Sequence, residues 1–152
     1  MTLTQKETTL LNDLSSQEKL CIEKYRKYSE AAHDGALKNL FTTLAAAEQK
    51  HLDSINQMLS GTEVAMPSTS PSATTAKLNC TPSTCSEPDK QNDAYLCKDA
   101  LAMEKHVSSV YNTGIFEFSS PVLRDTLAHI QKEEQNHGEQ LYNYLACNNM
   151  YC

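Results

Sequence analysis

Two short strings in this chain have the makings of a metal site. Glu48-Gln-Lys-His51 and Glu134-Gln-Asn-His137 each set a carboxylate and an imidazole three residues apart. On a helix, side chains at that spacing leave one face, so a single cation can take ligands from both. A carboxylate can also reach across to a second cation. Two further acids, Glu18 and Glu104, each stand thirty residues ahead of the Glu of one pair. Glu18, Glu48, His51, Glu104, Glu134 and His137 thus offer four carboxylates and two imidazoles, and the four negative charges balance two divalent cations. Without cations, four buried acids would be costly as ions or would take up protons.

A lone Glu-x-x-His is no surprise in a chain with 12 Glu and 5 His. Glu30 and His33 fit the same spacing and supply a control, because they sit off the apolar stripe of their helix. They read as solvated residues at a helix end. The six candidates differ in obeying an internal repeat. A shift of 86 residues lays Glu18 on Glu104, Tyr25 on Tyr111, Glu48 on Glu134 and His51 on His137, with 10 identities across Leu10–Leu59. The same shift puts Glu30 and His33 on Phe116 and Ser119. A charged residue on a core stripe can also snorkel out of a bundle, but six at matched depth in both halves argue against that.

The elements that would position these residues are helices. Leu11, Leu14, Glu18, Cys21, Tyr25, Tyr28 and Ala32 step by three and four without a break. So do Leu37, Phe41, Leu44, Glu48, His51, Ile55 and Met58, and two matching runs follow in the second half, one through Glu104 and one through Glu134 and His137. Such stripes are the core faces of amphipathic helices in an antiparallel bundle. The pattern predicts helices over about 3–33, 35–60, 89–118 and 121–147, with Asp34 and Ser120 as N-caps and Pro121 at a first helical position. Residues 61–88 hold four of the five prolines and are rich in Ser and Thr, so they read as a flexible crossover rather than an element. The expectation is one all-α domain over residues 1–152, built from two repeated helical hairpins. Its ligand set is that of di-iron and di-manganese bundles, two ions per chain.

A net charge of −6 argues against nucleic acid as a partner. The apolar runs are too short to cross a membrane, and Met1–Leu11 lacks the layout of a secretory signal. Tyr25 and Tyr111 lie two turns beyond Glu18 and Glu104. They are plain core aromatics, hydrogen-bond donors to a ligand carboxylate, or redox-active phenols, and in the last two cases they belong to the site. Glu23 and Glu133 flank the stripe as possible extra carboxylates, while His106 and His129 read as surface residues. Of six cysteines, Cys21 reads as an apolar filler, and Cys97 with Cys147 as a disulfide or as two thiols. Cys80, Cys85 and Cys152 are placed to cross-link chains.

The six ligand candidates with Tyr25 and Tyr111 resemble the ferritin-like superfamily, rubrerythrin-type erythrins in particular, over both halves but not the linker. The resemblance implies a ferritin-like antiparallel four-helix bundle of up-down-down-up order, with a long crossover between its second and third helices. It implies Glu18 and Glu104 as terminal ligands, Glu48 and Glu134 as bridging ligands, and His51 and His137 as imidazole ligands of two iron ions. The activity implied is reaction with peroxide or dioxygen, or oxidation of ferrous iron. No Cys-x-x-Cys pair of the rubredoxin kind is present, so an external electron donor would be needed. The strings LTQKETTLLNDLSSQEKLCIEKY, DALAMEKHVSSVYNTGIFEF and HIQKEEQNHGEQLYNYL are similar to the coat F family of clostridial-type spore formers. That similarity implies a cytoplasmic or spore-coat setting with other coat proteins as partners. It also opens an alternative, a structural coat protein whose metal site mainly stabilises the fold.

Overall fold

The computed structural model of the chain describes residues 2–62, 64 and 81–151. Four helices form there: α1 (Gln5–Ala31), α2 (Gly35–Leu59), α3 (Glu87–Glu117) and α4 (Pro121–Cys147). At ~1.5 Å per residue each is roughly 40 Å long.

Their starts follow from side-chain chemistry. Thr4 and Glu7 form a reciprocal capping box at α1, and the Asp34 carboxylate accepts the Ala36 N–H at α2. Ser86 caps α3 with Pro88 in its first turn, so that helix begins two residues earlier than expected. Ser120 occupies the N-cap position of α4 but makes no side-chain cap. There the turn is closed by Arg124, which donates to the carbonyls of Phe118 and Ser119 at 2.9 Å each.

Cross-helix pairs reveal the topology. Lys6 pairs with Glu117, Tyr28 with Asp99, and the His33 N–H with Asp93, so α3 descends as α1 climbs. His51 meets Glu133 and His137 meets Glu48, so α4 runs against α2 as well. With each hairpin antiparallel, the order is up-down-down-up. The end of α2 and the start of α3 therefore lie at opposite ends of the bundle. The crossover expected over 61–88 falls mostly outside the described residues, but its last part is built into the fold. Ser83 is buried, and its N–H donates to Asn148 Oδ1 at 2.8 Å.

The core is apolar at both ends and polar in the middle. One cluster gathers Tyr25, Phe41, Leu96, Cys97 and Leu141; the other gathers Leu11, Leu14, Ile55, Met58, Tyr111 and Leu127. Two buried acids pin the hairpin turns of the opposite half. Glu7 Oε1 accepts the N–H and the hydroxyl of Ser119, both at 2.9 Å. Asp93 accepts the N–H groups of His33 and Asp34, both at 2.8 Å. Glu7 and Asp93 are 86 residues apart, as are His33 and Ser119, so the repeat is reproduced in three dimensions.

Candidate metal centre

Each of the six predicted ligands sits near the middle of its helix, on the stripe that faces the bundle axis. None is more than 5% exposed, so none is a fringe residue reaching for solvent. Together they occupy the gap between the two apolar clusters. Ligand atoms of Glu18, Glu48, His51 and Glu134 lie within 4.8 Å of one another, and so do those of Glu48, Glu104, Glu134 and His137. The two sets share Glu48 and Glu134.

Both imidazoles point Nδ1 inward. His51 Nδ1 lies 2.9 Å from Glu48 Oε2, 3.0 Å from Glu134 Oε1 and 3.9 Å from Glu18 Oε2. His137 Nδ1 lies 3.1 Å from Glu48 Oε1, 3.5 Å from Glu134 Oε2 and 3.6 Å from Glu104 Oε1. The rings stack with centroids 5.5 Å apart.

Not all of these oxygens are satisfied. Glu18 Oε2, Glu104 Oε2 and both Glu134 oxygens are buried with no hydrogen-bond partner; Glu134 lies near both imidazoles but is not aligned with either. A buried carboxylate oxygen without a donor is costly. Burial, reinforced by Glu48 and Glu134, pushes the Glu18 carboxyl well above the ordinary range. Burial, with Glu134 as neighbour, lifts Glu104 to about 9. For Glu48, burial also acts upward, but contacts with His137 and His51 outweigh it and hold that carboxyl low. Contacts with Glu104, His137 and His51 do the same for Glu134. Burial disfavours charge on the imidazoles, yet the surrounding carboxylates push His51 and His137 up to about 12 each. With protons on both imidazoles, Glu18 and Glu104, and with Glu48 and Glu134 charged, the site carries no net charge. Two divalent cations in place of those four protons keep the charge balanced and give the orphaned oxygens a partner. The donor set of carboxylates and imidazoles suits a divalent metal ion.

The two tyrosines hold the outer carboxylates crosswise. Tyr25 donates its hydroxyl to Glu104, and Tyr111 donates to Glu18. Burial, followed by the neighbouring carboxylate's charge, keeps both phenols protonated.

Of the two flanking acids, Glu23 turns to Lys27 on the surface, whereas Glu133 reaches the outward nitrogen of His51 at 2.8 Å. Glu7 and Asp93 are the residues that the stripe reading overlooked. Each precedes the next stripe residue, Leu11 or Cys97, by four, and the repeat relates them, so the signal was present. Glu30, His33 and His106 are exposed, and His129 is partly so. Cys97 and Cys147 do not form a disulfide with each other. Cys97 is a free thiol that donates to the Leu141 carbonyl at 3.5 Å, Cys21 and Cys85 are also free, and Cys147 is disulfide-bonded. Cys80 and Cys152 lie outside the described residues.

The Coat F domain family matches residues 92–151, most of α3 and all of α4. A two-domain protein from Anabaena variabilis, containing DJ-1/ThiJ/PfpI-like and ferritin-like domains, matches with a TM-score of 0.71 at 18% identity. That match covers 99% of this chain and 39% of the other, so the chain spans about two fifths of its length. No curated protein matches. The fold is therefore a ferritin-like four-helix bundle, and the chain resembles coat F proteins. No helix among the described residues is long and apolar enough to cross a membrane.

Proposed function

We propose that this ferritin-like chain is a spore-coat protein holding two metal ions, iron or manganese, in a carboxylate-bridged centre that reacts with peroxide or dioxygen or oxidises ferrous iron. Glu18 and His51 would hold one ion and Glu104 and His137 the other, with Glu48 and Glu134 shared. The observation that carries this reading is the convergence of four unpartnered buried carboxylate oxygens with two inward Nδ1 atoms, in two sets that share a pair of acids. Bound iron would supply the one-electron chemistry of such a reaction.

The chain's own residues have distinct tasks. The apolar clusters above and below exclude water, which strengthens every charge interaction between them. Tyr25 and Tyr111 hold Glu104 and Glu18 in place, each occupying one oxygen and leaving the other without a hydrogen-bond partner. We read both phenols as positioning groups of the site.

Elemental analysis of protein purified without oxygen tests the proposal, followed by its spectrum after peroxide. Two irons or manganese per chain and a new absorption band on oxidation are expected. Less than one metal per chain after anaerobic loading would overturn it.

The coat F match favours a second reading, in which the metal pair chiefly staples the core. Replacing Glu48 and His51 by Ala separates the two. A pure staple predicts a less stable protein and spores with unchanged resistance to peroxide.

A further inference from the structure

We propose that the two metal positions are unequal and that Glu133 makes them so, the position built on His51 taking a divalent cation more tightly than the one built on His137. This rests on the two-metal reading above.

The repeat makes the two positions nearly equivalent: Glu18 corresponds to Glu104, His51 to His137, and the shared acids to each other. The outward nitrogens break the symmetry. His51 Nε2 lies 2.8 Å from Glu133 Oε2, and the other Glu133 oxygen lies 3.6 Å from His129 Nε2. Among the described residues, none forms a hydrogen bond with His137 Nε2. The residue 86 positions before Glu133 is Ala47, which has nothing to offer a ring N–H.

A metal-binding imidazole must be neutral, with its proton on the nitrogen that faces away from the cation. A carboxylate accepting that proton selects the tautomer, stops the ring from rotating and makes the inward nitrogen a stronger donor. Glu133 is placed to do all three for His51. It touches no other predicted ligand and is itself half-exposed, so its removal takes nothing else from the site.

Titration of metal-free full-length protein with Co(II) under argon, followed by calorimetry and by the visible cobalt bands, tests the inference. The wild type should show two steps separated by about 10–100-fold. Glu133→Ala should weaken the first step by a similar factor and leave the second in place, and Glu133→Gln, which keeps an acceptor oxygen, should recover part of the loss. Ala47→Glu should tighten the second step. Metal-free Glu133→Ala should melt somewhat below the wild type, because the buried His51 ring loses one of its carboxylate partners, so the two cobalt steps rather than stability carry the test. Two equal steps in the wild type would overturn the inference while leaving the two-metal reading intact. So would a Glu133→Ala profile that is unchanged or weakened equally in both steps. Uptake of less than one cobalt per chain would overturn both.

Discussion

The hydroxyl of Tyr25 on α1 donates to the carboxylate of Glu104 on α3, and the repeat returns the bond in reverse from Tyr111 to Glu18. Each hairpin's phenol therefore holds the other hairpin's acid. The two halves are joined at the depth of the site by bonds that neither hairpin forms alone.

Removing one of these bonds should be felt in stability. Tyr25→Phe leaves a buried carboxylate oxygen without its donor, which typically costs about 1–3 kcal/mol. Tyr111→Phe should cost a similar amount through Glu18. Urea unfolding of both single variants checks the magnitude, and near-equal losses are expected from the symmetry.

Loading the site should release protons. Burial raises the carboxyls of Glu18 and Glu104, and the surrounding carboxylates raise both imidazoles, so all four groups favour their protonated forms. Two divalent cations displace about four protons. Because every displaced proton comes from a group whose pKa is raised, affinity should climb steeply from pH 6 to 8. Acidification should strip the metal. An indicator dye in weakly buffered solution counts the protons during titration.

Glu48 contacts both imidazoles and stands in both ligand sets. Glu48→Ala leaves two buried imidazolium groups short of a counter-charge, for which about 3–5 kcal/mol of destabilisation is expected in the metal-free protein. Two-metal binding should also be lost. Denaturation of the metal-free protein, paired with metal analysis, reads both effects.

Glu7 supplies a pH signature remote from the site. Hydrogen bonds from the Ser119 and Thr4 backbone lower its carboxyl from 4.5 to about 2. Its contribution is therefore complete above pH 4.5 and lost as pH falls toward 2. Glu7→Gln should destabilise by about 1–3 kcal/mol at pH 7, and that gap should narrow across the acid window. Denaturant midpoints of the two proteins at pH 6, 4 and 2.5 test this.

The thiols should differ sharply in reactivity. Burial raises Cys21, and it lifts Cys97 to about 12, so both should resist alkylation in the native state. Cys85 is free and partly exposed, and should react. Cys147 should react only after reduction. Mass spectrometry of pulse-labelled protein distinguishes the four.

The all-α class, the two hairpins and the common face of the six polar residues were legible in the chain, because a helix converts spacing into facing. Leu14, Glu18 and Cys21 share a stripe whatever packs against them, and the 86-residue shift carries that stripe into the second half. Partner choice was not legible. Spacing says that Tyr25 and Glu18 share a face of α1, not that Tyr25 belongs to Glu104; that follows only when α3 packs antiparallel to α1 at one register. Glu23 and Glu133 look alike beside their stripes, yet Lys27 holds one at the surface while the other meets His51 across the α2–α4 contact. Glu7 and Asp93 show the same division. Their place on the stripe is a local property, but the backbone N–H groups they satisfy belong to the opposite hairpin's turn, and only the docking of the two hairpins brings those groups within reach.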